Sequence, residues 1–185
     1  MQDQLGAAPE ALSVVAFWRE AGPGKWFTKS DAFDQAFRDR FLGLHMAAAR
    51  RELDGWADGA EGGLALLILL DQFPRNAFRG TGHMYATDGL ALHFAQRMVD
   101  AGLDQEIPPD LRGFCYLPFM HSERLDAQER SVALYRVLGG PSLPFAEDHL
   151  DIIRRFGRFP HRNPMLGRET TAAERAFIDA GGFAG

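Results

Sequence analysis

Cysteine is almost absent from this chain: Cys115 stands alone among 185 residues. A single thiol excludes an internal disulfide and any zinc site built from several thiolates, and it fits a reducing compartment. An excess of positive charge is missing too. The net charge is −5, whereas domains that attract nucleic acid are basic overall, so no nucleic-acid partner is expected. No apolar run approaches the roughly 20 residues that span a bilayer. The N-terminal MQDQLGAAPEALSVVAFW shows no basic segment ahead of an apolar one, so no signal peptide is expected. Cytoplasm is then the default location, with no membrane partner. Apolar/polar alternation of strand type is lacking at any useful length. The patterns H-E-x-x-H, G-x-S-x-G, G-x-G-x-x-G and the P-loop are also lacking. The six histidines are scattered, and neither a metal nor a cofactor is expected.

What is present is a helical alphabet rich in phenylalanine, with 15 Phe. Leu64–Leu70 is apolar at every position and switches abruptly to Asp71, Gln72, Phe73, Pro74, Arg75 and Asn76. A run apolar on all sides must be buried on all sides. It reads as a central helix that delivers an acid, an amide and an arginine to its C-terminal end, where Pro74 should push Phe73 out of helical geometry and end it. Phe33, Phe37, Phe41, Leu44 and Ala48 form one stripe of a long helix capped by Ser30 or Asp31, with Asp34 and Arg38 pairing on its outer side. Further helices are expected over Ala8–Glu20 and Tyr85–Ala101, in a short stretch opened by Pro108 and Pro109 and interrupted by Pro118, in a segment preceded by Ser122 and Asp126 and closed by Gly139 and Gly140, and over Phe145–Phe156. A last one begins at the Thr171–Glu174 capping box. With no linker or low-complexity stretch, residues 1–185 read as a single all-α domain of about 7–9 helices.

Polar residues gather in three places, each with a bland and a functional reading. Arg154–Asn163 reads RRFGRFPHRN, four arginines and a histidine in an acidic chain. Arg154 and Arg155 suit the last turn of a helix, where cations complement the dipole. Arg158, His161 and Arg162 lie beyond it and suit either a carboxylate or phosphate ligand or a structural ion network. In His121-Ser122-Glu123, Ser122 reads as a helix cap with Glu123 in the first turn. Alternatively, Glu123 orients His121 for acid–base work. Phe73-Pro74-Arg75-Asn76 is echoed by Phe159-Pro160-His161-Arg162-Asn163. Cys115 lies in an apolar run, where a thiol packs rather than reacts.

These strings resemble one family. Val15-x-Phe17-Trp18, Trp26-Phe27, Leu53-Asp54-Gly55-Trp56, Leu69–Asn76, Tyr116–Glu123 and Arg155–Asn163 are together similar to a mainly bacterial family known as domain of unknown function 924. One departure is Met120, where the family pattern leads one to expect Glu. The resemblance implies a tetratricopeptide-like antiparallel helical array and carries no established activity. The expected site comprises Asp71, Gln72, Arg75, Asn76, His121, Glu123, Arg155, Arg158, His161, Arg162 and Asn163, converging on one face to bind a small anion or an acidic peptide. Two rivals stand beside this expectation. One is a hydrolase- or transferase-type enzyme with a histidine acid/base and arginines stabilising negative charge. The other is a scaffold whose charges only fix helix packing. Enzymatic activity and oligomeric state stay open at this point.

Overall fold

A computed structural model describes residues 7–185, and the signal-peptide reading therefore rests partly on residues outside those described. Among the described residues the chain is all-α, with no strand. It forms two compact units: the first runs to Arg79 and includes His83–Pro118, and the second comprises Gly80–Gly82 and Phe119–Gly185. No helix among the described residues is long and apolar enough to cross a membrane.

The first unit holds α1 (Pro9–Ala21), α2 (Pro23–Trp26), α3 (Asp31–Ala49), α4 (Ala60–Leu67), α5 (Phe73–Ala77) and α6 (Asp88–Asp100). It also holds the start of α7 (Pro109–Met120). Ser30 caps α3 by accepting the Phe33 N–H, as its position before an apolar-periodic run predicts. The Leu64–Leu70 run is fully buried, at 0–1% exposure for every residue. Here α4 packs against α1 and α6, and a 3-10 turn at Asp54–Asp58 leans on it. Gly62 and Gly63 make that packing close, because a Cβ would strike the Trp56 backbone at one and the Met98 sulfur at the other. The phenylalanine stripe of α3 joins this core: Phe37 lies 5.0 Å from Phe73 and 5.4 Å from Trp18, ring centre to ring centre.

Two prolines behave differently from expectation. Pro74 does not end the central helix, and Phe73 keeps helical angles of φ −54° and ψ −48°. The chain instead widens into a π turn over Ile68–Gln72, where the Phe73 N–H reaches back to the Ile68 carbonyl, and then runs on as α5. Pro118 likewise lies inside α7 rather than breaking it. Proline can sit in a helix when other groups satisfy the carbonyls it leaves open.

The second unit contains α8 (Leu125–Leu138), α9 (Leu143–Phe156) and α10 (Ala172–Asp179). The connection between α8 and α9 is short and the two pack on each other, as a helical hairpin does. Ile152, Ile153 and Phe159 form a small core, covered by Phe156 and Phe177. The expected capping box is present: Thr171 accepts the Glu174 N–H while the Glu174 carboxylate accepts the Thr171 N–H.

Replacing Leu67 by Ala should destabilise the protein by about 2–5 kcal/mol, the usual range for a leucine removed from a close-packed core. Urea unfolding measures it. A loss under about 0.5 kcal/mol would show that α4 is not core.

Candidate functional site

In the first unit the polar end of the central helix is built by what Pro74 lacks. Proline has no N–H. In an α-helix that N–H would serve the Leu70 carbonyl, and in a π turn the Leu69 carbonyl. Both carbonyls take side-chain donors instead: Thr87 Oγ1 to Leu70 O at 2.5 Å, and His45 Nδ1 to Leu69 O at 2.8 Å. Because His45 donates from Nδ1, its Nε2 carries the lone pair, and that atom lies 3.0 Å from His83 Nε2. Burial, and then the neighbouring His83, hold the His45 pKa below the usual histidine value despite the Leu69 bond.

Arg75 is clasped on three sides. It makes paired bonds of 2.8 and 3.0 Å to Asp88, lies 3.3 Å from the Asp71 carboxylate, and donates to the Asp71 carbonyl. Burial opposes its charge, but Asp71 and Asp88 outweigh that and push its pKa up. Gln72 donates to Asp71 at 2.6 Å. Asn76 turns away to Asp34, which also accepts Arg79. Asp34 is therefore a buried acceptor in α3 and not the outward partner of Arg38, which instead donates to the Ala77 carbonyl.

The second unit contains His121, Glu123, Arg155, Arg158, His161, Arg162 and Asn163. Ser122 does not cap α8; its hydroxyl accepts the Arg124 N–H, and the helix starts after Arg124. Glu123 is thus not a first-turn residue. It accepts the Phe159 N–H at 2.9 Å and both nitrogens of Arg168 at 2.8 Å. Burial works against the Glu123 charge, yet Arg168, the Phe159 N–H and the nearby Arg162 hold its pKa below the usual range. Arg162 stacks 4.6 Å over Phe159 and donates to the His121 carbonyl. Arg158 grips Glu174 with two nitrogens, at 2.6 and 2.9 Å, and reaches the Glu169 carbonyl. Asn163 also donates to Glu174. Bonding to Arg158 first, and then the Thr171 N–H and the Arg158 charge, hold Glu174 down at about 2.

Arg155 is placed otherwise. Its guanidinium is half-exposed and lies 4.9 Å from the Phe156 ring and 5.0 Å from that of Phe177, with one long bond of 3.4 Å to Asp151. It borders a groove of about 450 Å³ walled by Ala173, Ala176, Phe177, Ala180, Gly181 and Gly182. The groove's end is the turn that finishes α10, where the Gly181 N–H bonds to Ile178 and the Gly182 N–H to Phe177, with Gly181 at φ +81°. That is the pattern in which glycine takes the left-handed position after a helix.

The expected site residues thus fall into two groups, one in each unit, and their convergence on one face stays an expectation. Sequence reading missed His45, His83, Thr87, Asp88 and Arg168. Of these, Thr87-Asp88 carried a helix-start signal, whereas nothing local pointed to His45 or Arg168. Cys115 is buried as expected, and burial, with Asp104 adding to it, lifts its thiol to about 12, which keeps it unreactive near neutrality. Among the described residues no three of His, Cys, Asp and Glu gather as a cation would need.

A family model described as bacterial protein of unknown function (DUF924) matches residues 14–182. The solved structure of a protein of unknown function from Agrobacterium tumefaciens is similar at 58% identity. It covers 92% of this chain and 97% of its own, with a TM-score of 0.90. Comparison with curated proteins gave no match.

Glu174 gives a pH test. Its carboxylate is depressed by folding, so the stability it contributes is present above the usual carboxylate value of 4.5 and fades as pH falls towards about 2. Calorimetry of Glu174→Gln should show a lowered thermal midpoint at pH 7 and a shrinking difference from the parent as pH drops through that window. A difference that stays constant across the window would remove the ionic role.

Proposed function

The chain belongs to the DUF924 family of bacterial proteins, and from that premise we propose that it is a binding protein for a small apolar carboxylate, seated in the α10 groove against Arg155. A free peptide terminus with an apolar last residue belongs to the same ligand class. The observation that carries this reading is the state of Arg155. Its neighbours in the arginine-rich string are committed: Arg158 to Glu174 and Arg162 to the His121 carbonyl. Arg155 is half-exposed, holds Asp151 by one long bond, and lies over two aromatic rings. A planar guanidinium stacked on rings loses little freedom when it takes a carboxylate through two N–H groups. Its bond to Asp151 is an exposed i,i+4 pair, the kind worth a fraction of a kcal/mol, about 0.3–0.5, so a ligand carboxylate can displace it. Alanine and glycine walls leave room for an aliphatic chain, and Phe177 supplies an apolar face.

The scaffold reading is favoured by a different observation. The Arg158–Glu174 and Arg168–Glu123 pairs tie α10 and the 159–168 segment to their surroundings. That accounts for Glu123, Arg158 and Asn163 without any ligand.

The two readings part in a thermal-shift experiment with hexanoate and its uncharged analogue hexanamide. Hexanoate should raise the thermal midpoint of the parent, by linkage worth about 2.7 kcal/mol at a hundredfold excess over Kd, and hexanamide should not. Arg155→Ala should keep the parent's midpoint without ligand and lose the response. An equal hexanoate response in Arg155→Ala, or none in the parent with either hexanoate or a peptide ending in a free carboxylate, leaves the scaffold reading.

A further inference from the structure

We propose that His45 and His83 form a proton-sensitive latch that fastens the turn carrying His83 to the buried π turn of the central helix. The tautomers follow from Pro74. The Leu69 carbonyl takes the Nδ1–H of His45, so His45 Nε2 is an acceptor and the proton between the rings belongs to His83 Nε2. His45 lies in α3 and is fully buried, with Phe73 stacked on it at 4.9 Å. His83 is part-exposed and lies 3.9 Å from the Phe78 ring. The groups facing the pair are these two rings, the Leu69 carbonyl and Arg38, which sits 4.8 Å over Phe78. No carboxylate of the described residues contacts either imidazole.

The bond between the rings survives only while one of the two facing Nε2 atoms keeps its lone pair. A proton added on His45 Nε2 cannot be held. It would set two N–H groups against each other at 3.0 Å, beside Arg38 and with no anion to offset them. The latch then has to release. Residues just beyond His83 hold the polar end of the central helix: the Tyr85 ring centre stands 5.7 Å from the Arg75 guanidinium, Thr87 donates to the Leu70 carbonyl and Asp88 grips Arg75. Opening the latch therefore loosens the clasp on Arg75. The sign agrees with the lowered His45 pKa. Unfolded or released His45 takes a proton near 6.5, the latched form resists until lower pH, and the latch weakens as pH falls below that value. One proton of difference is at most tenfold in the latching equilibrium per pH unit.

Amide hydrogen exchange across residues 83–88, corrected for the intrinsic effect of pH, tests this on the full chain. In the parent, exchange should speed up by as much as about tenfold per pH unit below 6.5. His83→Ala should exchange fast at both pH 7.5 and pH 5.5, because nothing faces His45. His83→Gln should stay protected at both, since an amide can donate to neutral His45 or accept from its protonated form. Nitrogen chemical shifts of the His45 ring should report an Nδ1-protonated tautomer at pH 7.5. Corrected exchange in the parent that is the same at the two pH values, a His83→Gln profile that follows the parent, or an Nε2-protonated His45 overturns the latch.

Discussion

A helix buried on every side has no water to complete its hydrogen bonds, so each carbonyl along it needs a partner from the protein. Pro74 sits at the end of such a helix and removes one N–H. The first unit is arranged around that deficit. The turn widens to a π form, so Phe73 bonds to Ile68, and the Leu69 and Leu70 carbonyls, one of which the missing N–H would have served, are met from α3 by His45 and from the approach to α6 by Thr87. An unmet buried carbonyl costs about 1–3 kcal/mol, enough to make both donors requirements rather than ornaments. The same widening sets where Asp71, Gln72 and Arg75 point, and π turns of this kind recur at functional positions.

Charge plays the corresponding part in the second unit. Glu123 and Glu174 are the fixed points, each depressed below the usual carboxylate range by the groups it accepts. Around them Arg158, Arg168, the Phe159 N–H and Asn163 are satisfied. The arginines of this acidic chain are therefore of two kinds. Where the guanidinium has a carboxylate with little access to water within 3 Å, it builds the fold. Where it keeps a long, exposed bond, as Arg155 does, it adds little to that framework.

Much of this was legible in the sequence, and the reasons are local. Leu64–Leu70 can only be core, because no face of it is polar, and it is. Thr171 and Glu174 announce a capping box through spacing alone. The Ser30 cap and the burial of Cys115 follow the same way. The misreadings share a different cause. What proline does to its own helix predicts a break at Pro74 and Pro118, whereas at Pro74 the outcome depends on donors that come from residues 29 positions before and 13 after it. Helix spacing pairs Asp34 with Arg38, but Asn76 and Arg79 reach Asp34 from far along the chain. Ser122 and Glu123 looked like a helix start, and Glu123 is instead claimed by Phe159 and Arg168. Spacing rules count neighbours along the chain, and these carboxylates chose partners across it.

That distinction bears on what a recurring string can say about function. Phe-Pro-Arg-Asn and Phe-Pro-His-Arg-Asn look like one motif used twice, yet their parts do different work. Pro74 creates a deficit that other residues fill, while Pro160 opens a short 3-10 turn. Arg75 is held by two carboxylates; Arg162 lies on a ring and donates to a carbonyl. Asn76 meets Asp34, and Asn163 meets Glu174. What the strings have in common is an asparagine that delivers a neutral donor to a carboxylate already engaged by an arginine: Arg79 on Asp34, Arg158 on Glu174. A carboxylate with little access to water needs more acceptor capacity filled than one guanidinium provides, and an amide supplies the remaining bond without adding charge. The repeated asparagine is therefore explained by the chemistry of buried carboxylates, and a ligand has to be sought where an arginine is not already answered in this way.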